Sequence, residues 1–183
     1  DTPVACMRII DSKPVHLMTG PAKNPEDDTR MVHDFMSDPS AKTIVCGGTS
    51  ATIVSRVLGK RLDVSLDYVD PEIPPIAYME GVDLVTEGVL TLNRVVQLLR
   101  RYAKNETVSE TFFEELDKNN GASMVAKILI EDCTEVHLYV GKAINSAYQN
   151  PGLPFDLGIR QNLVEQLKSV IEEIGKKVVV TYY

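Results

Sequence analysis

Lys42–Ser50 reads KTIVCGGTS, and Ala51–Gly59 continues as ATIVSRVLG. A β-prone run of this length is too short for a buried helix, and it ends on two glycines and two small hydroxyl residues. The next stretch then places Ile53, Val54, Val57 and Leu58 at helical spacing and stops at Gly59. Strand, glycine turn, amphipathic helix: this is the repeating half of a parallel βαβ unit. Ile44, Val45 and Cys46 are apolar at successive positions rather than alternating, as expected where both faces of a parallel sheet are covered.

The same rhythm recurs along the chain. Val15–Met18 ends in Thr19-Gly20-Pro21, Val82–Val85 in Thr86-Glu87-Gly88, and Val136–Val140 in Gly141, while Val178–Tyr182 closes the sequence. Helical segments follow the turns. Asn24-Pro25-Glu26 supplies a cap, a proline at the first helical position and an early acid for a helix running to about Met36. Thr49 or Ser50 is expected to cap the helix that ends at Gly59. Leu90–Tyr102 carries a wide apolar face, Ser109–Leu116 is shorter, Ala122–Ile130 is apolar throughout, and Leu157–Ile174 is stopped by Gly175. The expected fold is α/β: a Rossmann-like layered domain with a mainly parallel sheet flanked by helices. One segment departs from the rhythm. Leu62–Tyr68 alternates, and the proline-rich Asp70–Pro75 separates it from Ile76–Met79, so an antiparallel excursion is expected near 62–80.

Bulk numbers narrow the function classes. The chain has 183 residues, of which 44% are hydrophobic and 25% charged, the balance of a globular domain that needs no disulfide or metal staple. Its formal charge of -7 argues against a nucleic-acid groove, whose affinity comes from neutralising phosphates with Lys and Arg. No apolar run approaches the ~20 residues of a membrane span, so no membrane partner is expected. Cys6, Cys46 and Cys133 sit in apolar contexts and read as buried thiols of a reducing, cytoplasmic setting. His16, His33 and His137 have no ligand spacing to them, and His137, between Val136 and Leu138, reads as a packed histidine.

In open parallel sheets ligands bind beyond the carboxyl ends of the strands, where all the glycine turns should gather on one rim. Gly47-Gly48-Thr49-Ser50 leads the candidates, because glycines admit close backbone approach and the free N–H groups of a helix start favour an anion. The same residues also read as a simple tight turn; they match neither a Walker loop nor G-x-G-x-x-G. Thr86, Glu87 and Gly88 come next, with Glu87 available to a ribose hydroxyl, a cation or the helix dipole. Gly141 and Lys142 offer a further anion contact. Glu26-Asp27-Asp28 and Glu114-Glu115 read as solvated helix faces, and no nucleophile, base and oxyanion site assemble into a catalytic set.

Several stretches together resemble the C-terminal region that follows the catalytic domain in bacterial SpoIIE-like serine/threonine phosphatases of the metal-dependent PPM superfamily. They are Thr19-Gly20-Pro21 with Asn24–Asp28, Val45–Ala51 with Ile53–Arg56, Glu80–Thr91, Gly141–Asn145, and Gln149-Asn150-Pro151 with Leu153-Pro154. Asp1-Thr2-Pro3-Val4-Ala5 is similar to the closing strand of that catalytic domain, although Pro3 stands where a threonine is usual. The resemblance implies that residues 1–12 are the remnant of that last strand plus a linker, and that 13–183 form a single α/β domain. It matches Asp1 to an aspartate that binds catalytic Mn²⁺ or Mg²⁺ in the intact phosphatase, whose other metal ligands lie far upstream of the region matched. No cofactor is expected in the present residues. The expected function is a regulatory or ligand-sensing domain that binds an anionic small molecule or a partner and acts on the upstream phosphatase domain. Alternatives are a stand-alone enzyme on a phosphate-containing substrate and a structural or homodimerising domain, the latter suggested by Pro71–Pro75 and the tail Tyr182-Tyr183.

Overall fold

The computed structural model describes residues 11–64, 76–104, 110–143 and 155–183. Strand β1 (Pro14–Thr19) leads through a 3-10 turn (Pro25–Asp27) into helix α1 (Asp28–Phe35) and β2 (Lys42–Cys46). Helix α2 (Gly48–Leu58) precedes β3 (Leu62–Val64), β4 (Ala77–Met79) and β5 (Val82–Thr86). Helices α3 (Val89–Ala103), α4 (Glu110–Leu116) and α5 (Gly121–Glu131) return the chain to β6 (Glu135–Val140), α6 (Phe155–Glu173) and β7 (Lys177–Tyr182).

The strands form one 7-stranded sheet in the order β3-β4-β5-β2-β1-β6-β7. Neighbours from β5 to β7 pair in parallel. The antiparallel excursion is β3 on β4 and β4 on β5; its proline segment lies outside the described residues, as does the 1–10 strand. From β1 the chain winds outward through β2 to β5, then crosses back to the other side of β1 and winds outward through β6 to β7. The sense of winding therefore reverses between β1 and β6.

Alternation along the strands builds two cores. Leu17, Ile44, Leu84, Val136 and Leu138 face helices α3 to α6, while Met18, Val45, Val85 and Tyr139 face α1 and α2. Truncating a fully buried residue such as Leu17 to alanine is worth roughly 2–5 kcal/mol. This is the Rossmann-like layered α/β fold, with helices on both faces. No helix among the described residues is long and apolar enough to cross a membrane.

Asn24 is the N-cap of the 3-10 turn, with Pro25 opening it and Glu26 in its first turn, as expected; its carbonyl accepts the Asp27 N–H at 2.9 Å, and its side chain makes no cap bond. Two local expectations are corrected. Glu115 is not a solvated residue: it accepts from both Arg94 and Arg101 and ties α4 to α3. Burial pushes its carboxyl up, but the Arg101 hydrogen bond and the charge of Arg94 outweigh that and hold it below the usual range. Asp28 is also buried. It accepts the Ala22 N–H at 3.0 Å and pairs with Arg56 at 3.2 Å, fastening the turn after β1 to the α1–α2 layer. Asp28→Ala leaves that N–H without its acceptor, so we expect a loss of about 1–3 kcal/mol in urea unfolding. Asp28→Asn keeps the acceptor and loses only a solvent-facing ion pair, so it should cost less.

Candidate ligand-binding corner at the ends of β2 and β5

All the predicted turns lie on the carboxyl rim of the parallel strands, but they divide into two corners about 10 Å apart, two strand spacings. One joins the ends of β2 and β5, the other the ends of β1 and β6.

At the β2/β5 corner, Gly47 takes φ 124°, a conformation reserved for glycine, and its N–H donates to the Thr86 carbonyl at 2.8 Å. This sharp turn starts α2 two or three residues earlier than expected. Gly47, not Thr49 or Ser50, is the N-cap, and it brings no side-chain cap. Thr49 is exposed on the first turn, and Ser50 is buried in the third helical position. Helix α3 begins the same way. Gly88 is its N-cap, again without a side-chain cap, and Thr91 occupies the third position. A Cβ on Gly88 would stand 3.3 Å from the Gly47 Cα, so the two helix starts abut. Three N–H groups at each start have no intrahelical acceptor. Helix α5 shows the contrast, because its N-cap Asn120 accepts from the Ser123 N–H at 2.9 Å.

Three polar atoms at this corner are buried and have no hydrogen-bond partner: Ser50 Oγ, Thr91 Oγ1 and Glu87 Oε2. The Thr86 hydroxyl is committed, donating to the Glu87 carbonyl at 2.9 Å and lying 3.4 Å from Cys46 Sγ. Burial, with the Glu87 charge adding to it, pushes the Cys46 thiol up to about 12. Cys46 is therefore a packed thiol and no nucleophile at neutral pH. Sequence reasoning quoted Thr91 but did not place it in the site. The signal was there: Gly47-x-x-Ser50 and Gly88-x-x-Thr91 share one spacing.

The β1/β6 corner is filled by the chain itself. Gly141 packs directly on the backbone of Gly20 and Pro21. Ala143 N–H donates to the Pro21 carbonyl at 3.1 Å, and Lys23 and Lys142 N–H groups both donate to the Tyr183 carbonyl. Arg160, from α6, donates to the Ala143 carbonyl at 3.1 Å; nothing in the sequence marked it. The Lys142 ammonium lies 4.6 Å from the centre of the Tyr182 ring, on an exposed side chain. Gly141 and Lys142 thus stand apart from the other predicted site residues. In the C-terminal tail, Tyr183 donates to Asp34 at 2.7 Å and Tyr182, itself exposed, to Glu165 at 3.0 Å.

Elsewhere, hollows open among the described residues. One of about 420 Å³ lies along β4 and β5 beside Met124. Another, of about 320 Å³, is lined by His16, His137 and Tyr139 on the sheet face left bare beyond α1. His16 Nδ1 is 2.6 Å from the Phe35 carbonyl, and burial followed by the nearby His16 holds His137 below the usual imidazole range. Among the described residues, no three His, Cys, Asp or Glu side chains gather as a cation site, and Asp1 lies outside those residues. No family model, curated protein or solved structure matches this chain.

Proposed function

We propose that the chain is the C-terminal regulatory domain of a SpoIIE-like serine/threonine phosphatase and that it senses a small anionic molecule at the β2/β5 corner. The observation that carries the sensing part is the pair of abutting, uncapped helix starts, each with a buried hydroxyl lacking a hydrogen-bond partner at its third position, Ser50 and Thr91. A polar group buried without a partner costs on the order of 1–3 kcal/mol, and a ligand that supplies the partner recovers it. Helix starts favour negative charge, which selects an anion as that ligand. The phosphatase assignment rests on the quoted sequence resemblance. In that assignment, the Mn²⁺ or Mg²⁺ chemistry belongs to the upstream catalytic domain, whose metal ligands would include Asp1. The described residues offer no cluster to hold such an ion, and no catalytic step is assigned to them.

Anion binding should raise the thermal midpoint of the 183-residue chain in a screen of nucleotides, sugar phosphates and acyl-CoAs at constant ionic strength. At a ligand concentration 100 times the Kd, the gain is about 2.7 kcal/mol, equivalent to roughly 5–10 °C for a domain of this size. The regulatory part is tested on the intact phosphatase: the ligand that stabilises the domain should change its rate on a phosphoprotein. An unchanged rate at saturating ligand refutes regulation while leaving binding intact.

A further inference from the structure

We infer that the β2/β5 corner takes a phosphorylated or carboxylated polyol, an anion that also donates a hydroxyl, in preference to a bare anion. This rests on the anion-site reading above and adds the class of ligand. Ser50 and Thr91 are each 1% exposed, and neither hydroxyl has a partner. A Cβ on Gly47 would stand 3.4 Å from Ser50 Oγ, so that hydroxyl faces the turn between the helix starts. These groups and the free helical N–H groups supply donors to an anion.

Glu87 changes the selection. It immediately precedes Gly88, where a Cβ would lie 3.3 Å from the Gly47 Cα, and the Glu87 Oε2 is buried without a donor. It therefore stands on the same corner as the helix starts. A carboxylate oxygen such as Oε2 accepts hydrogen bonds, and a bare anion has no donor to offer it, so it stays unsatisfied. A ligand with a hydroxyl beside its anionic group meets both demands: the anion takes the helix starts, and the hydroxyl donates to Glu87. Charge-assisted bonds of this kind are the strong ones.

The test is calorimetric titration of the wild-type chain, Glu87→Leu and Glu87→Gln with inorganic phosphate, ribose 5-phosphate and ribose at fixed ionic strength. The wild type should bind ribose 5-phosphate at least tenfold more tightly than phosphate, and ribose alone more weakly than either. Glu87→Leu should bring the two phosphates within about threefold of each other. Glu87→Gln, which keeps an acceptor of similar shape, should fall between, and serves alone if the leucine variant does not fold. Equal binding of phosphate and ribose 5-phosphate by the wild type overturns the inference and leaves the anion site standing. Phosphate binding that appears only in the Glu87 variants overturns both, because the carboxylate itself then occupies the helix starts. No response from any protein to either phosphate also overturns both.

Discussion

Gly141→Ala is expected to unfold the domain about 6–12 °C below the wild type in a thermal melt followed by circular dichroism. A Cβ at Gly141 would stand 2.0 Å from the Pro21 carbonyl oxygen, 2.2 Å from its carbon and 2.5 Å from the Gly20 oxygen. All three are backbone atoms, so no rotamer change relieves the overlap. The turn after β1 would have to withdraw, and it carries several bonds at once: Ala22 to Asp28, Ala143 to Pro21, and Lys23 to Tyr183. Overpacking a core costs roughly 1–3 kcal/mol. A rigid backbone neighbour puts this case at about 3 kcal/mol, which converts to the stated shift at 2–4 °C per kcal/mol for a domain of this length. A midpoint within 2 °C of the wild type would show that the β1/β6 corner is looser than described.

Gly48→Val should have the opposite profile, intact folding with anion binding lost. Gly48 is exposed on the first turn of α2, and a Cβ there meets nothing within 4 Å. The fold has no steric objection to a side chain, and removing a glycine from a helix is worth roughly 0.5–1 kcal/mol in stability against alanine. The valine methyls would instead occupy the approach to the free N–H groups at the start of α2. We expect ribose 5-phosphate to bind at least tenfold more weakly, with a melting midpoint no lower than that of the wild type. Undiminished binding would place the ligand elsewhere on the rim. The two glycines resemble each other in sequence context, both following a β-strand, yet one is required by packing and the other by access.

That difference marks where legibility ended. The parallel strands were readable because Ile44–Cys46 and Leu138–Val140 are apolar at successive positions, and the antiparallel excursion was readable because Leu62–Tyr68 alternates. Strand order was not readable, since nothing local in β6 says that it pairs with β1 and not with β5. With the order unknown, glycines on one rim could not be sorted into corners, and Gly141 and Lys142 were grouped with Gly47 and Gly48. The capping error at Thr49 and Ser50 has a local cause: with φ at 124°, Gly47 turned the chain two or three residues sooner and moved both hydroxyls inside the helix. Asp28 and Glu115 looked solvated because acidic runs usually are. Their partners Arg56, Arg94 and Arg101 lie 28, 21 and 14 residues away, beyond any local pattern.

Backbone amide NMR on the 183-residue chain during titration with ribose 5-phosphate tests the central claim most directly. The ligand should shift the amide resonances of residues 47–50 and 88–91 together, with a common dissociation constant, while Gly20, Gly141 and Lys142 stay in place. Shifts centred on Gly20, Gly141 and Lys142, or an unperturbed corner at full occupancy, would contradict it.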